Sequence, residues 1–138
     1  MSPSPSAQLA ALVEEYSYVD DPHERLALLV DRAKKNPPLP ADLRDDAHRV
    51  RGCISIVWLV GEFRDGVCRF RSDADSPLVR GLVALVCEVF AGCTPAAIVA
   101  DDVDPVDALG LLQNLSPTRR NGLASARAAI RAFAQAHV

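Results

Sequence analysis

The residues of this chain with the most distinctive chemistry are its four cysteines, Cys53, Cys68, Cys87 and Cys93. Their spacings contain no paired C-x-x-C pattern of the kind that binds zinc. The three histidines are too scattered in the sequence to complete a metal site with any of them. We therefore expect neither a metal nor another cofactor, and the question becomes what a single thiol can do. A thiol acts as a nucleophile when its surroundings favour the thiolate.

Cys53 has the most favourable sequence context for such a role. It follows Gly52 at the start of a predicted strand, and this pair is typical of a tight turn with the thiol at its tip. Arg49 and Arg51 flank it and His48 is near in sequence, and cationic neighbours favour the thiolate. The alternative, a small buried apolar residue, is what most free cysteines are, and it stays open at this point.

The other three cysteines are weaker candidates. Cys68 shares the inward face of a predicted strand with Phe70, and Cys87 lies inside a predicted apolar helix, so we expect both in the core. Cys93 follows Gly92 in a predicted loop, where its thiol could be reachable, although no base is visible beside it.

Arg119 and Arg120 stand in an electrostatically unfavourable position. They fall in the first turn of a helix predicted to begin at Pro117, where the helix dipole disfavours a cation by about 0.3–1 kcal/mol. Two interpretations remain open. Either solvent screens this cost, or the arginines contact a partner protein or a sulfur anion.

Length and composition restrict the class of protein. A chain of 138 residues, 49% hydrophobic, predicts one globular domain, here over 7–138, after a flexible Ser/Pro-rich lead-in of 1–6. A net charge of −3 argues against a general nucleic-acid binder. The longest apolar run, 82–87, is far shorter than the roughly twenty residues of a membrane span. No secretory signal is visible, so we expect a cytoplasmic protein with reduced thiols.

Helix starts are marked by a repeated pair, an N-cap residue followed by proline. The first helix is indicated by apolar residues at helical spacing over 9–16. The N-cap and proline pairs are Asp21-Pro22, Ser76-Pro77, Thr94-Pro95, Asp104-Pro105 and Ser116-Pro117.

Strands are predicted in the middle of the chain. Residues 54–63 are rich in β-branched and aromatic types, with Ile54, Ile56, Trp58 and Val60 on one face. Asp65-Gly66 predicts a two-residue hairpin turn, 67–71 the return strand, and 48–51 a further strand. The sequence thus predicts an α+β fold, a small antiparallel sheet of about three strands packed against several α-helices.

The segment HRVRGCISIVW, residues 48–58, resembles the active-cysteine segment of the SufE family. That family's pattern reads Asn, any, apolar, any, Gly, Cys, any, Ser, any, Val, Trp, and Gly52, Cys53 and Ser55 match it. Further blocks similar to the family follow in the family's order, at 72–75, 78–82, 94–99 and 115–123.

The resemblance implies a fold of the SufE and IscU type and a role in sulfur transfer. Cys53 would accept persulfide sulfur from a pyridoxal-phosphate cysteine desulfurase of the SufS or CsdA kind, stimulate that enzyme, and pass the sulfur to a SufB-containing assembly scaffold. The chain would be a carrier and activator without enzymatic activity of its own.

The resemblance also assigns positions around the cysteine. Arg119 matches the family's motif arginine and Asp75 an acidic loop residue, both related to the partner interface, and Arg120 lies beside the first. Gly52, His48, Arg51 and Ser55 would shape or orient the cysteine loop. We expect Gly52 to let the loop turn Cys53 outward when the desulfurase docks.

The sequence departs from the family pattern at two places. His48 stands where the family has Asn, and Ile54 and Ile56 stand where polar residues are common, which predicts more apolar surroundings for Cys53. Three other functions stay open: an iron–sulfur scaffold of the IscU kind, which needs about three converging ligands; a thiol enzyme, which needs a base; and a regulator that binds the desulfurase without carrying sulfur.

Overall fold

The computed structural model describes residues 3–51 and 56–138. Within these ranges the chain forms helices around one small sheet, in the order α1 (Pro5–Glu15), α2 (Pro22–Ala33), 3-10 helices at Ala41–Leu43 and Asp46–His48, β1 (Val57–Arg64), β2 (Val67–Ala74), α3 (Pro77–Phe90), α4 (Pro95–Ala100), α5 (Pro105–Ala108), a 3-10 helix at Leu112–Asn114 and α6 (Pro117–Gln135). The strands pair antiparallel. The predicted α+β class is confirmed.

The predicted helix starts are all present, each with proline in the first turn. Side-chain oxygens of Asp21, Thr94, Asp104 and Ser116 accept backbone N–H groups there, whereas the side chain of Ser76 makes no capping hydrogen bond.

Helix α1 begins earlier than expected, inside the segment predicted as a flexible lead-in. Ser4 is its N-cap and accepts a hydrogen bond from Ala7 N–H, and Pro5 is buried. The backbone N–H of Ser6 also donates to the Asp101 carboxylate at 2.8 Å. The first turn and cap of α1 thus lie in residues that the sequence assigned to the lead-in.

The hairpin turn is as predicted. Asp65 and Gly66 have φ angles of 54° and 81°, which a two-residue turn of type I′ requires. The turn fixes the register, in which Arg64 lies opposite Val67 and Val57 opposite Ala74.

The predicted third strand at 48–51 is reduced to a single bridge. Arg49 pairs with Trp58, and Val50 N–H donates to Val57 C=O at 2.8 Å. The 3-10 helix Asp46–His48 occupies the residues just before the bridge, so the pairing cannot extend in that direction. Among the described residues the sheet therefore has two strands instead of about three.

The helices cover one face of the sheet. The register places Val57, Leu59 and Gly61 on the same face as Phe70 and Cys68, and this face packs on α3 and α6. The face predicted from Ile54, Ile56, Trp58 and Val60 is the opposite one, and its three described residues, Ile56, Trp58 and Val60, are half-buried. Helix α3 is nearly all buried and forms the centre of the core.

Candidate functional site

Three of the four cysteines lie in the described part of the chain, and all three are buried. Cys68 is 0% and Cys87 5% exposed, as expected for core residues. Cys93, whose accessibility the sequence left open, is also buried, at 0% exposed. The turn at Gly92 folds Cys93 back onto β2, where its carbonyl accepts a hydrogen bond of 2.8 Å from Cys68 N–H.

Burial makes these thiols poor nucleophiles. It raises the pKa of the Cys87 thiol to about 12 and that of the Cys93 thiol to about 11. Burial raises the pKa of Cys68 as well. The charged form is disfavoured where water is excluded, so these three side chains remain protonated at neutral pH.

Cys53, Gly52, Ile54 and Ser55 lie outside the described residues, and so does the predicted outward turn of the loop. The residues on both sides of this segment, up to Arg51 and from Ile56, are described, and we call them its base. At this base Val50 N–H donates to Val57 C=O at 2.8 Å, and Asp75 N–H donates to Ile56 C=O at 3.2 Å. Asp75 therefore lies at the base of the cysteine-bearing segment.

His48 is held by a carboxylate on the 3-10 helix that leads into the segment. Its Nδ1 lies 2.7 Å from Oδ1 of Asp45, and the same oxygen accepts the His48 backbone N–H at 3.0 Å. The hydrogen bond from His48 lowers the pKa of Asp45. A carboxylate on Nδ1 orients the ring and leaves Nε2 for another contact. The N-cap spacing of Asp45 and His48 is the sequence signal that could have identified Asp45.

Two arginines lie between His48 and the undescribed segment. Arg51 is exposed and donates to Asp46 C=O at 3.3 Å, whereas Arg49 is half-buried and pairs with Trp58. Residues 47–51 form one wall of a groove, and α6 forms the other, with Leu59 on its floor.

The two arginines at the start of α6 differ from each other. Arg119 has an exposed side chain, and its backbone N–H donates to the Ser116 hydroxyl at 3.3 Å. Arg120 donates from Nε to Leu115 C=O at 3.1 Å, which gives it a structural contact. Within residues 3–51 and 56–138, no hydrogen bond or ion pair joins either arginine to the base of the cysteine segment.

The described residues contain no group of three or more His, Cys, Asp or Glu side chains placed to hold a metal ion. None of the helices in the same ranges is long and apolar enough to cross a membrane.

These features define a class: a small α+β domain whose hairpin sheet carries a cysteine-bearing segment at one end, with its other thiols enclosed in the core. The family model described as "SufE: Fe-S metabolism associated domain" matches residues 10–134. The chain belongs to the SufE family, which is associated with iron–sulfur metabolism. Membership of this family implies a role in sulfur transfer.

Relatives in two bacterial groups agree with this assignment. An uncharacterized SufE-like protein of Synechocystis sp. is 37% identical over 114 residues, covering 83% of this chain and 72% of the relative. An uncharacterized SufE-like protein of Rhizobium meliloti is 33% identical, covering 85% of this chain and 87% of the relative.

The fold is shared with a solved structure. The solution structure of a hypothetical protein from Thermus thermophilus superposes with a TM-score of 0.76 at 22% identity, covering 96% of each chain. At this identity the likeness establishes the fold alone.

Proposed function

We propose that this protein is a sulfur carrier that accepts a persulfide sulfur on Cys53 from a cysteine desulfurase. The observation that carries the proposal is the burial of the other three cysteines, whose raised pKa values keep their thiols protonated. By elimination Cys53, in the segment that resembles the family's active-cysteine motif, is the candidate nucleophile.

The reaction is an exchange at sulfur without net oxidation or reduction. The Cys53 thiolate attacks the outer sulfur of the donor persulfide, and a new S–S bond forms on Cys53. The S–S bond of the donor breaks, and the donor cysteine leaves as a thiolate that takes a proton from solvent. Transfer to the acceptor repeats this exchange with Cys53 as the donor.

The neighbours of the segment support the thiolate form. Arg49 and Arg51 bring positive charge to the residues just before it, and cations favour the thiolate. His48, oriented by Asp45, offers Nε2 as a group that can exchange a proton with the thiol. In this proposal His48 takes the place of the family's Asn.

Two protein partners follow from the proposal. The donor is a pyridoxal-phosphate cysteine desulfurase of the SufS or CsdA kind, stimulated when its persulfide is removed, and the recipient is a SufB-containing scaffold. Asp75, at the base of the segment, and Arg119, with its exposed side chain, are the proposed docking residues. Reduced thiols and this partnership favour a cytoplasmic setting.

Mass spectrometry tests the covalent step directly. Incubation with a desulfurase and cysteine should add about 32 Da, one sulfur atom, to the peptide that contains Cys53. Cys53→Ser should abolish both this adduct and the stimulation of the desulfurase. Cys68→Ser and Cys87→Ser are matched controls that should retain both, because their thiols are enclosed.

A regulator that carries no sulfur would stimulate the desulfurase fully with Ser at position 53, and that outcome would contradict the proposal. The outward turn of the loop has its own measurement. Hydrogen exchange over 49–55 should become faster or slower when the desulfurase is added, and unchanged exchange would exclude the turn.

A further inference from the structure

Among the described residues, strand β2 pairs with another strand, β1, along only one of its two edges. On its outer edge Cys68 N–H donates to Cys93 C=O at 2.8 Å, and Gly92 N–H donates to Cys68 C=O at 2.7 Å. Backbone groups in an antiparallel strand alternate between the two edges, so Phe70 and Ser72 direct their N–H and C=O groups outward as Cys68 does. No described residue forms a hydrogen bond with these four backbone groups.

A cavity lies against this stretch of β2, and we call it the β2 edge cavity. Phe70, Arg71 and Ser72 line it on the strand side. Ala84 and Cys87 of α3 line its floor, and the Cys87 thiol is protonated at neutral pH because burial raises its pKa to about 12. These two floor residues are small and uncharged. Glu88 also lines the cavity, and its carboxylate is paired with Arg32.

The uncovered stretch of the edge is bounded at both ends. The bonds of Cys68 close one end. At the other end the Asp73 carboxylate accepts Leu39 N–H at 3.1 Å, and Arg80 donates to Asn36 C=O at 3.4 Å. A strand rises about 3.3 Å per residue, so the stretch from Cys68 to Asp73 is about 17 Å long. An extended segment of about three residues spans about 10 Å, so it fits between the two closed ends.

Positive charge lies at the Asp73 end of the β2 edge cavity. Arg71 is exposed and forms no ion pair in the described part of the chain. Arg80 also lines the cavity, and its Nε lies 3.3 Å from the Asp73 carboxylate, so its remaining N–H donors can serve a second anion. The guanidinium groups of Arg71 and Arg80, near the Asp73 end of the cavity, are complementary in charge to the C-terminal carboxylate of a peptide.

We propose that the β2 edge cavity binds the carboxyl-terminal end of an extended peptide from a partner protein. The peptide backbone pairs with the N–H and C=O groups of Phe70 and Ser72, and its terminal carboxylate pairs with Arg71 and Arg80. Addition of a strand to an open sheet edge is an established mode of peptide recognition. The small floor favours peptides with small apolar side chains. This site contains none of the proposed sulfur-transfer residues.

Nuclear magnetic resonance of the full ¹⁵N-labelled chain tests the proposal. The probe is acetyl-Val-Ala-Val with a free carboxylate, compared with the same tripeptide as its amide. The free acid should shift the amide signals of Phe70 and Ser72 in a saturable way. The amide form should bind at least about tenfold more weakly, because it lacks the charge-assisted bonds to the guanidinium groups.

Two arginines of the same strand provide a matched pair of variants. Arg71→Gln should raise the Kd for the free acid about tenfold, whereas Arg69→Gln, whose side chain does not line the cavity, should change it less than about twofold. Cys53→Ser should bind the peptide like the parent chain, which separates this site from sulfur transfer.

Equal binding of acid and amide would overturn the proposal, as would saturable shifts that map away from β2. An absence of saturable shifts up to about 5 mM peptide, a Kd that corresponds to only about 3 kcal/mol, would overturn it too.

Discussion

At the scale of single residues, burial separates the thiols of this protein. Cys68, Cys87 and Cys93 are close to fully enclosed, and the loss of water around each one raises its pKa. A protein that carries sulfur on one cysteine benefits from this arrangement, because thiols kept protonated in the core do not compete for the persulfide. The same burial protects them from oxidation.

The contact between Asp45 and His48 predicts a pH-dependent stability. His48 lowers the pKa of Asp45, so the folded chain binds fewer protons at this group than the unfolded chain. The stabilisation is present above the ordinary aspartate pKa of about 3.9 and is lost as the pH falls through the lower folded value. Asp45→Asn should therefore lower the urea midpoint at pH 6 and have a smaller effect at pH 3.

Asp46→Asn is the control for this measurement, since it removes the neighbouring negative charge while leaving the Asp45–His48 contact in place. Asparagine is also a good N-cap, so the Asp45 variant changes the charge more than the cap. An equal change at both pH values would show that the stabilisation does not come from the ionised Asp45.

At the scale of elements, the contact between β1 and α6 depends on a glycine. A Cβ atom built on Gly61 would lie 2.5 Å from Cδ2 of Phe133, and the Phe133 ring also packs edge-on against Phe70 at 5.5 Å. Gly61→Ala should therefore lower the free energy of unfolding by about 1–3 kcal/mol, because the Phe133 ring must shift away from the added Cβ, as at other overpacked contacts. Urea denaturation monitored by circular dichroism measures this change.

A double-mutant cycle identifies the cause. Phe133→Leu removes the ring, so Gly61→Ala should cost less in that background than in the parent chain, with a coupling of about 1 kcal/mol. If the cost is the same in both backgrounds, strand propensity and not the close approach accounts for the effect.

The elements were predictable where local chemistry determines them. The N-cap and proline pairs marked five helix starts, and Asp65-Gly66 marked the turn, because these depend on a few adjacent residues. The sequence predicted a third strand where the structure has a single bridge. The difference was not predictable, because the 3-10 helix that ends at His48 competes for the same residues. The burial of Cys93 depends on distant contacts, among them a hydrogen bond from Gln8.

The candidate site was predictable to a different degree. The motif around Cys53 is continuous in sequence, and it led to the family that the comparisons identify. Asp45 was missed, because its importance arises from the 3-10 helix that turns its carboxylate toward His48. The proximity of Asp75 to Ile56 arises from the pairing of β1 with β2, which the local sequence pattern cannot predict. Asp75 was identified as a candidate only through its resemblance to the family motif.

At the scale of the whole molecule, one buried carboxylate joins the segment after α2 to the sheet. Asp73 is 5% exposed and accepts hydrogen bonds from Leu39 N–H at 3.1 Å and Ala74 N–H at 2.8 Å, with Arg80 Nε at 3.3 Å. Leu39 is itself 2% exposed, so this carboxylate holds an apolar side chain in place. Residues 40–51, which lead to the cysteine segment, follow this anchor in the chain.

Asp73→Ala should lower the free energy of unfolding by about 3 kcal/mol, because it leaves buried donors and one guanidinium without their acceptor. It should also speed hydrogen exchange at Leu39, since the N–H of that residue loses its partner. Urea denaturation and native-state exchange measure the two effects. Asp75→Ala, which removes an exposed carboxylate two positions along the chain, should leave both nearly unchanged. Exchange at Leu39 that stays as slow in Asp73→Ala as in the parent chain would contradict the role of Asp73 as the anchor of this part of the chain.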